Sequence, residues 1–256
     1  MIVRKDIKSD VYFMEIIDNK IIINDDYEGL IILNAQLNIV KRIKLIKDMV
    51  IYSSYYKQNE LLLFCPENTC LIYLDLESFV YKKIDIEDSD DLIFTPLYFW
   101  NEDDLILSTY KGEFFRIDIE NQHVCKLSDY LGGFYLMYLK LNKYKVIKLF
   151  SDIGKVVIET QNKEISILDY NNESKEYLQF NKSDFHDIEI KEENILLLGE
   201  RRVDLINHNN VQYYYPDEGY ICLRGKFMIE RRNKYIFILF GNNSDAGVVR
   251  IERIEI

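Results

Sequence analysis

The sequence is poor in the residues that break or cross-link a chain. It contains three prolines, ten glycines and four cysteines in 256 residues. Turns must therefore rely on Asn, Asp, Ser and Lys, of which the first three stabilise turns through local hydrogen bonds. Because four scattered cysteines are too few for a disulfide-stapled fold, we expect a reducing, cytoplasmic location.

Long apolar segments and alanine are scarce as well. No stretch of about 18 apolar residues occurs, and the first residues do not combine a basic segment with an apolar one. We therefore expect neither a transmembrane helix nor a signal peptide, and no membrane partner. The abundance of Ile, Tyr and Phe favours strands over a helical bundle.

Positive charge is in deficit. Lys and Arg number 32 against 43 for Asp and Glu, which gives a net charge of −11. A nucleic-acid-binding protein needs a basic surface, so we expect no nucleic-acid partner. An acidic surface favours solubility and attracts a basic partner.

A four-strand pattern recurs along the chain. Each unit contains four short β-branched or aromatic runs separated by turn residues, which is typical of an antiparallel meander. The units cover residues 11–46, 49–86, 94–128, 144–180, 185–216 and 220–256. The turns between second and third strands are marked by Gly29, Asn68, Gly112, Lys163, Arg202 and Ala246, at separations of 39, 44, 51, 39 and 44 residues. A period of about 40–50 residues is typical of β-propeller blades.

The first residues complete the last unit. That unit ends after its third strand, at GVVRIERIEI, and a missing outer strand would leave a sheet edge exposed. Residues 2–7, IVRKDI, are similar to the fourth strands IVKRIKL at 39–45 and VYKKIDI at 80–86. We therefore predict that residues 2–7 form the outer strand of the last blade. Residues 130–143 are extra and form a predicted insertion.

The chain resembles the β-propeller superfamily over nearly all of its length. Strand pairs such as CLIYLDLESFVYKK and EFFRIDIENQHVCK are similar to blade hairpins. The resemblance implies an all-β, six-bladed β-propeller with four-stranded blades, formed by a single domain over residues 1–256. No Trp-Asp dipeptide, kelch signature or sialidase Asp-box is present, so it implies a fold without a specific function.

Patterns for catalysis and metal binding are missing. His123, His186 and His208 are not spaced as metal ligands, and no nucleophile lies in a G-x-S-x-G elbow. We therefore expect no catalytic residue, no metal and no cofactor, and we predict that the protein is not an enzyme. Cys65 and Cys70 end and begin successive strands, and we interpret them as two buried thiols because Glu67 is the only charge in their turn.

Carboxylates are the one organised polar feature. They recur in the connectors between units and in the turns between second and third strands, which emerge on one face of a propeller. Turn formation alone explains single Ser-Asp pairs. However, EDSDD at 87–91 and the NDDYEG stretch hold more charge than a turn needs. We predict that the partner-binding residues are Asp25, Asp26, Tyr27, Glu28, Glu87, Asp88, Asp90 and Asp91.

Three hypotheses of function follow. The first is a non-enzymatic, monomeric propeller whose acidic face binds a basic protein, such as an inhibitor or immunity protein that neutralises a nuclease-like toxin. The second is an enzyme for a small molecule or sugar, with carboxylates at the channel mouth as acid and base. The third is a scaffold module of a larger assembly, which would show a broad exposed apolar patch.

Overall fold

The structure is a computed structural model that describes residues 1–86, 92–100, 105–127, 138, 141, 144–150, 153–160, 164–170, 174–181, 185–207, 210–230 and 233–256. The strands in these residues are β1 (Ile2–Lys8), β2 (Met14–Ile17), β3 (Lys20–Asp25), β4 (Gly29–Leu33), β5 (Ile39–Lys44), β6 (Ser53–Lys57), β7 (Glu60–Cys65), β8 (Cys70–Asp75), β9 (Tyr81–Asp85), β10 (Phe94–Trp100), β11 (Leu105–Thr109), β12 (Phe114–Asp118), β13 (His123–Leu127), β14 (Lys145–Phe150), β15 (Lys155–Glu159), β16 (Glu164–Asp169), β17 (Ser174–Asn181), β18 (Asp187–Lys191), β19 (Asn194–Leu198), β20 (Val203–Asn207), β21 (Asn210–Tyr214), β22 (Tyr220–Glu230), β23 (Asn233–Asn242) and β24 (Asp245–Glu255). A 3₁₀ turn, Pro66–Asn68, lies between β7 and β8. In the described part of the chain, no helix has the length and apolar character needed to span a membrane.

The strands form six antiparallel sheets of four strands each. Blades 1 to 5 use consecutive strands, β2–β5, β6–β9, β10–β13, β14–β17 and β18–β21. Blade 6 consists of β22, β23 and β24 with the N-terminal β1 on its outer side. The chain is therefore an all-β, six-bladed β-propeller, which confirms the predicted fold class and the closure of the last blade by the N-terminal strand.

The chain divides into two compact units of three blades each. One unit comprises Met1–Met49 and Ser183–Ile256, with blades 1, 5 and 6, and the other comprises Val50–Lys182, with blades 2, 3 and 4. In each unit, the first strand of a blade contacts the first strand of its neighbour, and we call these first strands the inner strands. The assignment of residues 1–256 to a single domain stays a prediction.

The apolar cores lie between neighbouring blades of each unit. In the first unit, Ile23, Ile31 and Phe237 belong to a buried cluster shared by blades 1 and 6. In the second unit, one cluster extends through blades 2, 3 and 4, and within it the ring centroids of Phe64 and Phe94 are 4.9 Å apart. Most of the predicted insertion at 130–143 lies outside the described residues.

The position of a strand within its blade determines its burial. The runs Ile21–Ile23, Leu61–Leu63 and Leu196–Leu198 lie in second strands and are fully buried. The outer strands β5 and β21 are mainly exposed. This difference explains why the second strands are apolar on both faces, since each has a sheet neighbour on either side and both of its faces are buried.

Turns in this glycine-poor chain place other residues in the left-handed region. Asp18 and Asn19 join β2 to β3 with φ angles of 45° and 58°, a pair of positive values typical of a type I′ hairpin turn. Asx residues tolerate this conformation better than most side chains. The prediction that Asn and Asp replace glycine in turns holds here.

The closing strand pairs with β24 along its whole length. The antiparallel register runs from Ile2 opposite Ile254 to Lys8 opposite Val248. Ile7 is 3% exposed and belongs to the core between blades 1 and 6. The closing strand therefore supplies both hydrogen bonds and apolar burial.

Charged pairs join β1 and β24 on the face of the sheet opposite Ile7. Arg4 lies opposite Glu252 in the register, with Nε 2.7 Å from Oε1, and Asp6 lies opposite Arg250, with Oδ1 2.8 Å from Nε. Asp217 accepts hydrogen bonds from both arginines, from Arg4 Nη2 at 3.4 Å and from Arg250 Nη1 at 2.8 Å. Directly opposed unlike charges favour this register over one shifted by a residue.

Deletion of residues 1–8 should lower the free energy of unfolding by at least about 3 kcal/mol, because it uncovers β24 and removes the buried Ile7. Chemical denaturation followed by circular dichroism measures the change.

The matched control keeps the strand and removes one charge. Asp6→Asn should lower the free energy of unfolding by only about 1 kcal/mol, because the strand pairing and the buried Ile7 remain. A deletion variant as stable as the full chain would contradict the closure.

Candidate functional site

The turn between β3 and β4 is tied to the connector that enters blade 1. Asn24, at 0% exposure, lies in β3 and forms hydrogen bonds through both amide atoms. Its Nδ2 donates to the carbonyls of Asp10 and Asp26 at 2.7 and 2.8 Å, and its Oδ1 accepts from the backbone of Tyr12 and Phe13 at 2.9 Å. Four bonds to a buried amide hold the two segments in one arrangement.

Asp26 makes a second link between the same segments. Its Oδ1 accepts from the Asp10 amide at 2.7 Å and from the Ser9 hydroxyl at 3.2 Å, and its own amide donates to the Ser9 oxygen at 2.7 Å. Gly29 follows the turn, and a Cβ there would lie 2.0 Å from the carbonyl oxygen of Ile43. Only glycine permits this close approach of β4 to β5.

The turn between β3 and β4 contains an exposed tyrosine. Tyr27 is 41% exposed, and its ring stacks on Tyr12 with centroids 5.9 Å apart and planes 27° apart. Its hydroxyl donates to Asp10 Oδ2 at 2.8 Å. The hydrogen bond to this carboxylate raises the pKa of Tyr27, so the phenol stays protonated and holds the Asp10 carboxylate in place.

The carboxylates of this turn and its connector differ in whether a cationic side chain pairs with them. Asp25 lies 2.5 Å from Arg42 Nη1, and Glu28 lies 3.4 Å from Lys44 Nζ. Asp10 and Asp26 form no ion pair within the part of the chain that the structure describes. The local excess of negative charge therefore comes from these two residues and not from the whole acidic run.

The structure brings together half of the predicted binding residues. Asp25, Asp26, Tyr27 and Glu28 share one turn, beside Asp10 and Tyr12 of the entering connector. The other four predicted residues, Glu87, Asp88, Asp90 and Asp91, lie outside the described residues. Partner binding by either set stays a prediction.

Sequence reasoning missed Asn24 and Tyr12. Asn24 follows the apolar run Ile21–Ile23, and an amide next to a fully apolar strand is the signal that a buried polar contact exists. The partners of that amide depend on how the connector folds back across the strand end, which residue types alone do not indicate.

The second unit carries an exposed apolar patch of its own. Tyr52 is 60% exposed, Ile93 is 42% exposed and Tyr110 is 68% exposed. The Tyr110 amide donates to the Ile93 carbonyl at 3.4 Å, and partial burial together with the nearby Tyr52 hydroxyl raises the pKa of Tyr110. Exposed tyrosines of this kind are common in protein interfaces.

The inner strands of the first unit hold a buried cluster of charges. Lys226 of β22 is 5% exposed, and its Nζ lies 2.7 Å from Glu15 Oε2 of β2 and 3.3 Å from Glu189 Oε2 of β18. Burial alone would lower the pKa of Lys226, but the carboxylates of Glu15, Glu189 and Asp187 outweigh burial and raise it well above its usual value. The ammonium therefore stays charged and links three blades.

This cluster bears on the enzyme hypothesis. That hypothesis requires convergent carboxylates with raised pKa values in an open polar pocket. Glu15 and Glu189 do converge, but their shared partner is a buried cation. Among the described residues no group of three His, Cys, Asp or Glu side chains is arranged to hold a metal ion.

Lys226→Met should lower the free energy of unfolding by about 3 kcal/mol, because two partly buried carboxylates lose their counterion. The triple variant that adds Glu15→Gln and Glu189→Gln should regain most of this loss, as measured by urea denaturation. Equal stability of the wild-type protein and Lys226→Met would contradict the buried ion pairs.

Comparison with known proteins supports the fold. No protein-family model and none of the curated proteins matches the sequence. Among solved structures, YCF48 bound to D1 peptide matches 97% of this chain and 96% of its own, with 12% identity and a TM-score of 0.61. A catalytically inactive virginiamycin B lyase from Staphylococcus aureus with quinupristin matches 99% of this chain and 100% of its own, with 8% identity and a TM-score of 0.59. At these identities the similarity shows the β-propeller fold, which hosts a peptide complex in one case and an enzyme in the other.

Proposed function

We propose that this chain is a non-enzymatic protein-binding propeller. The partner surface consists of the blade 1 turn, Asp25, Asp26, Tyr27 and Glu28, with Asp10 beside it. Glu87, Asp88, Asp90 and Asp91, which lie outside the described residues, remain a second proposed set of binding residues. The β-propeller fold is compatible with a protein-binding role, and YCF48 is an example of a protein of this fold bound to a peptide.

One observation carries the proposal. Asp10 and Asp26 lack a cationic partner among the described residues, yet hydrogen bonds from the Asp10 amide and the Tyr27 hydroxyl fix both carboxylates beside the exposed ring of Tyr27. Carboxylates that are already oriented lose little conformational entropy when a partner binds. A tyrosine face next to two carboxylates suits a Lys or Arg side chain, which gains both an ion pair and a cation–π contact.

The finer proposal is a basic partner. With a net charge of −11, long-range attraction would accelerate association with a positively charged protein. A nuclease-like toxin is such a protein, because its active site binds phosphates that carboxylates can imitate. In this role the chain is a monomeric, cytoplasmic inhibitor or immunity protein that itself binds no nucleic acid.

The exposed patch of Tyr52, Ile93 and Tyr110 supports protein binding independently of charge. Ile93 follows the acidic run at 87–91 by two residues. An apolar centre beside charged residues is the usual composition of a protein interface.

Asp10→Asn with Asp26→Asn should weaken partner binding about tenfold or more, because both charges disappear while the amide oxygens still accept the same hydrogen bonds. The binding partner is sought among the products of neighbouring genes, and affinity is measured by calorimetry at about 50 and 500 mM salt. Wild-type affinity should fall as salt rises.

The matched control is Asp18→Asn with Glu192→Gln. It changes the net charge by the same amount. Asp18 lies in the turn between the first and second strands of blade 1, and Glu192 lies in the corresponding turn of blade 5, within the same unit. Its affinity should stay within about twofold of wild type. If the two double variants lose the same affinity, or if the affinity of the wild-type protein does not change with salt, the proposed surface is wrong.

A further inference from the structure

Cys65 and Cys70 form a cross-strand pair of thiols in blade 2. Cys65 is the last residue of β7, Cys70 is the first residue of β8, and the two are direct partners in the antiparallel register. Partners of this kind point to the same face, and their Cα atoms lie about 4.5–5.5 Å apart, within the range that a disulfide spans. Both residues are free thiols.

The two thiols differ in their electrostatic environment. The Cys65 thiol donates a hydrogen bond to the Cys70 sulfur, and this bond together with burial raises the pKa of Cys65. The same hydrogen bond lowers the pKa of Cys70 despite its burial, with a smaller contribution from Lys83 of the adjacent strand β9 that Asp85 partly offsets. The arrangement holds a protonated thiol against a sulfur on which negative charge is stabilised.

The cation near this pair corrects part of the sequence interpretation. Both thiols are buried, as predicted. Glu67 is the only charge in the turn itself, but Lys83 of β9 lies near enough to lower the pKa of Cys70. A cross-strand neighbour is not visible in the spacing of a single turn.

We propose that Cys65 and Cys70 are a redox modification site at which hydrogen peroxide forms a reversible intramolecular disulfide. The Cys70 thiolate attacks one peroxide oxygen, the O–O bond breaks and hydroxide leaves, which produces a sulfenic acid. The Cys65 sulfur then attacks Cys70, the S–S bond forms, and the S–O bond breaks. The departing hydroxide takes the Cys65 proton, so that two thiols and one peroxide yield one disulfide and two waters.

Access to the pair runs through the end of its hairpin. Residues 66–69 form the turn that joins the two cysteines, and Glu67 and Thr69 in this turn are exposed. Thr69 has a φ of 49°, an unfavourable value for a β-branched residue. Local opening of a strained hairpin end admits a small oxidant.

Cys125 supplies an internal comparison. It is half-buried on the outer strand β13, with its sulfur 2.9 Å from His123 Nδ1, and no second thiol is placed opposite it in the register. Peroxide should therefore react with Cys125 sooner than with the pair, but only the pair should stop at a disulfide.

The experiment is peptide mapping of the whole wild-type protein. After treatment with peroxide, the protein is alkylated in denaturant and digested with trypsin, which leaves both cysteines in the peptide 58–82. The expected peptide has lost two hydrogens and takes up no alkyl group. After reduction with dithiothreitol it should take up two.

Two variants assign the roles of the thiols. In Cys65→Ala, Cys70 should accumulate as a sulfenic acid that dimedone traps. In Cys70→Ala, Cys65 should remain alkylatable at the same peroxide dose. If peptide 58–82 of the wild-type protein stays fully alkylatable after prolonged exposure, or carries sulfinic acid without a disulfide, the proposal is wrong. This readout requires no binding partner, so it stands apart from the proposed function.

Discussion

The pairing of β1 with β24 is the constraint on which blade 6 depends. Without it, β24 would be an outer strand with unpaired amides and a partly uncovered core next to blade 1. The strand is held by the buried Ile7 on one face and by opposed charge pairs on the other face. Register and closure are therefore determined by the same residues, since a shift of one position would reverse both faces.

Charge is compensated in different ways in the interior and on the surface of the unit that contains blades 1, 5 and 6. In the inner strands, the buried Lys226 pairs with two partly buried glutamates, because an unpaired charge there would be costly. In the blade 1 turn, arginine and lysine offset Asp25 and Glu28, whereas Asp10 and Asp26 accept hydrogen bonds but have no cationic partner among the described residues. This remaining charge lies beside the exposed Tyr27, which is why the proposed partner surface is placed there.

Local patterns in the sequence were sufficient for the fold but not for the site. Runs such as Ile21–Ile23 and the similarity of IVRKDI to other fourth strands depend only on neighbouring residues, so the blades and their closure were predictable. The roles of Asn24, Lys226 and Lys83 depend on contacts between segments distant in sequence. Those contacts follow from how strands and blades are placed together, and no spacing rule predicts them.

Hydrogen exchange in β24 tests the account most directly, because it measures closure in the unmodified protein. Amides of β24 that pair with β1 should exchange only through global unfolding, with the same free energy of opening as the amides of β23. Matching protection in the two strands is the predicted result. Fast exchange in β24 alone, at rates typical of an unpaired edge strand, would contradict the closure of blade 6 by the N-terminal strand.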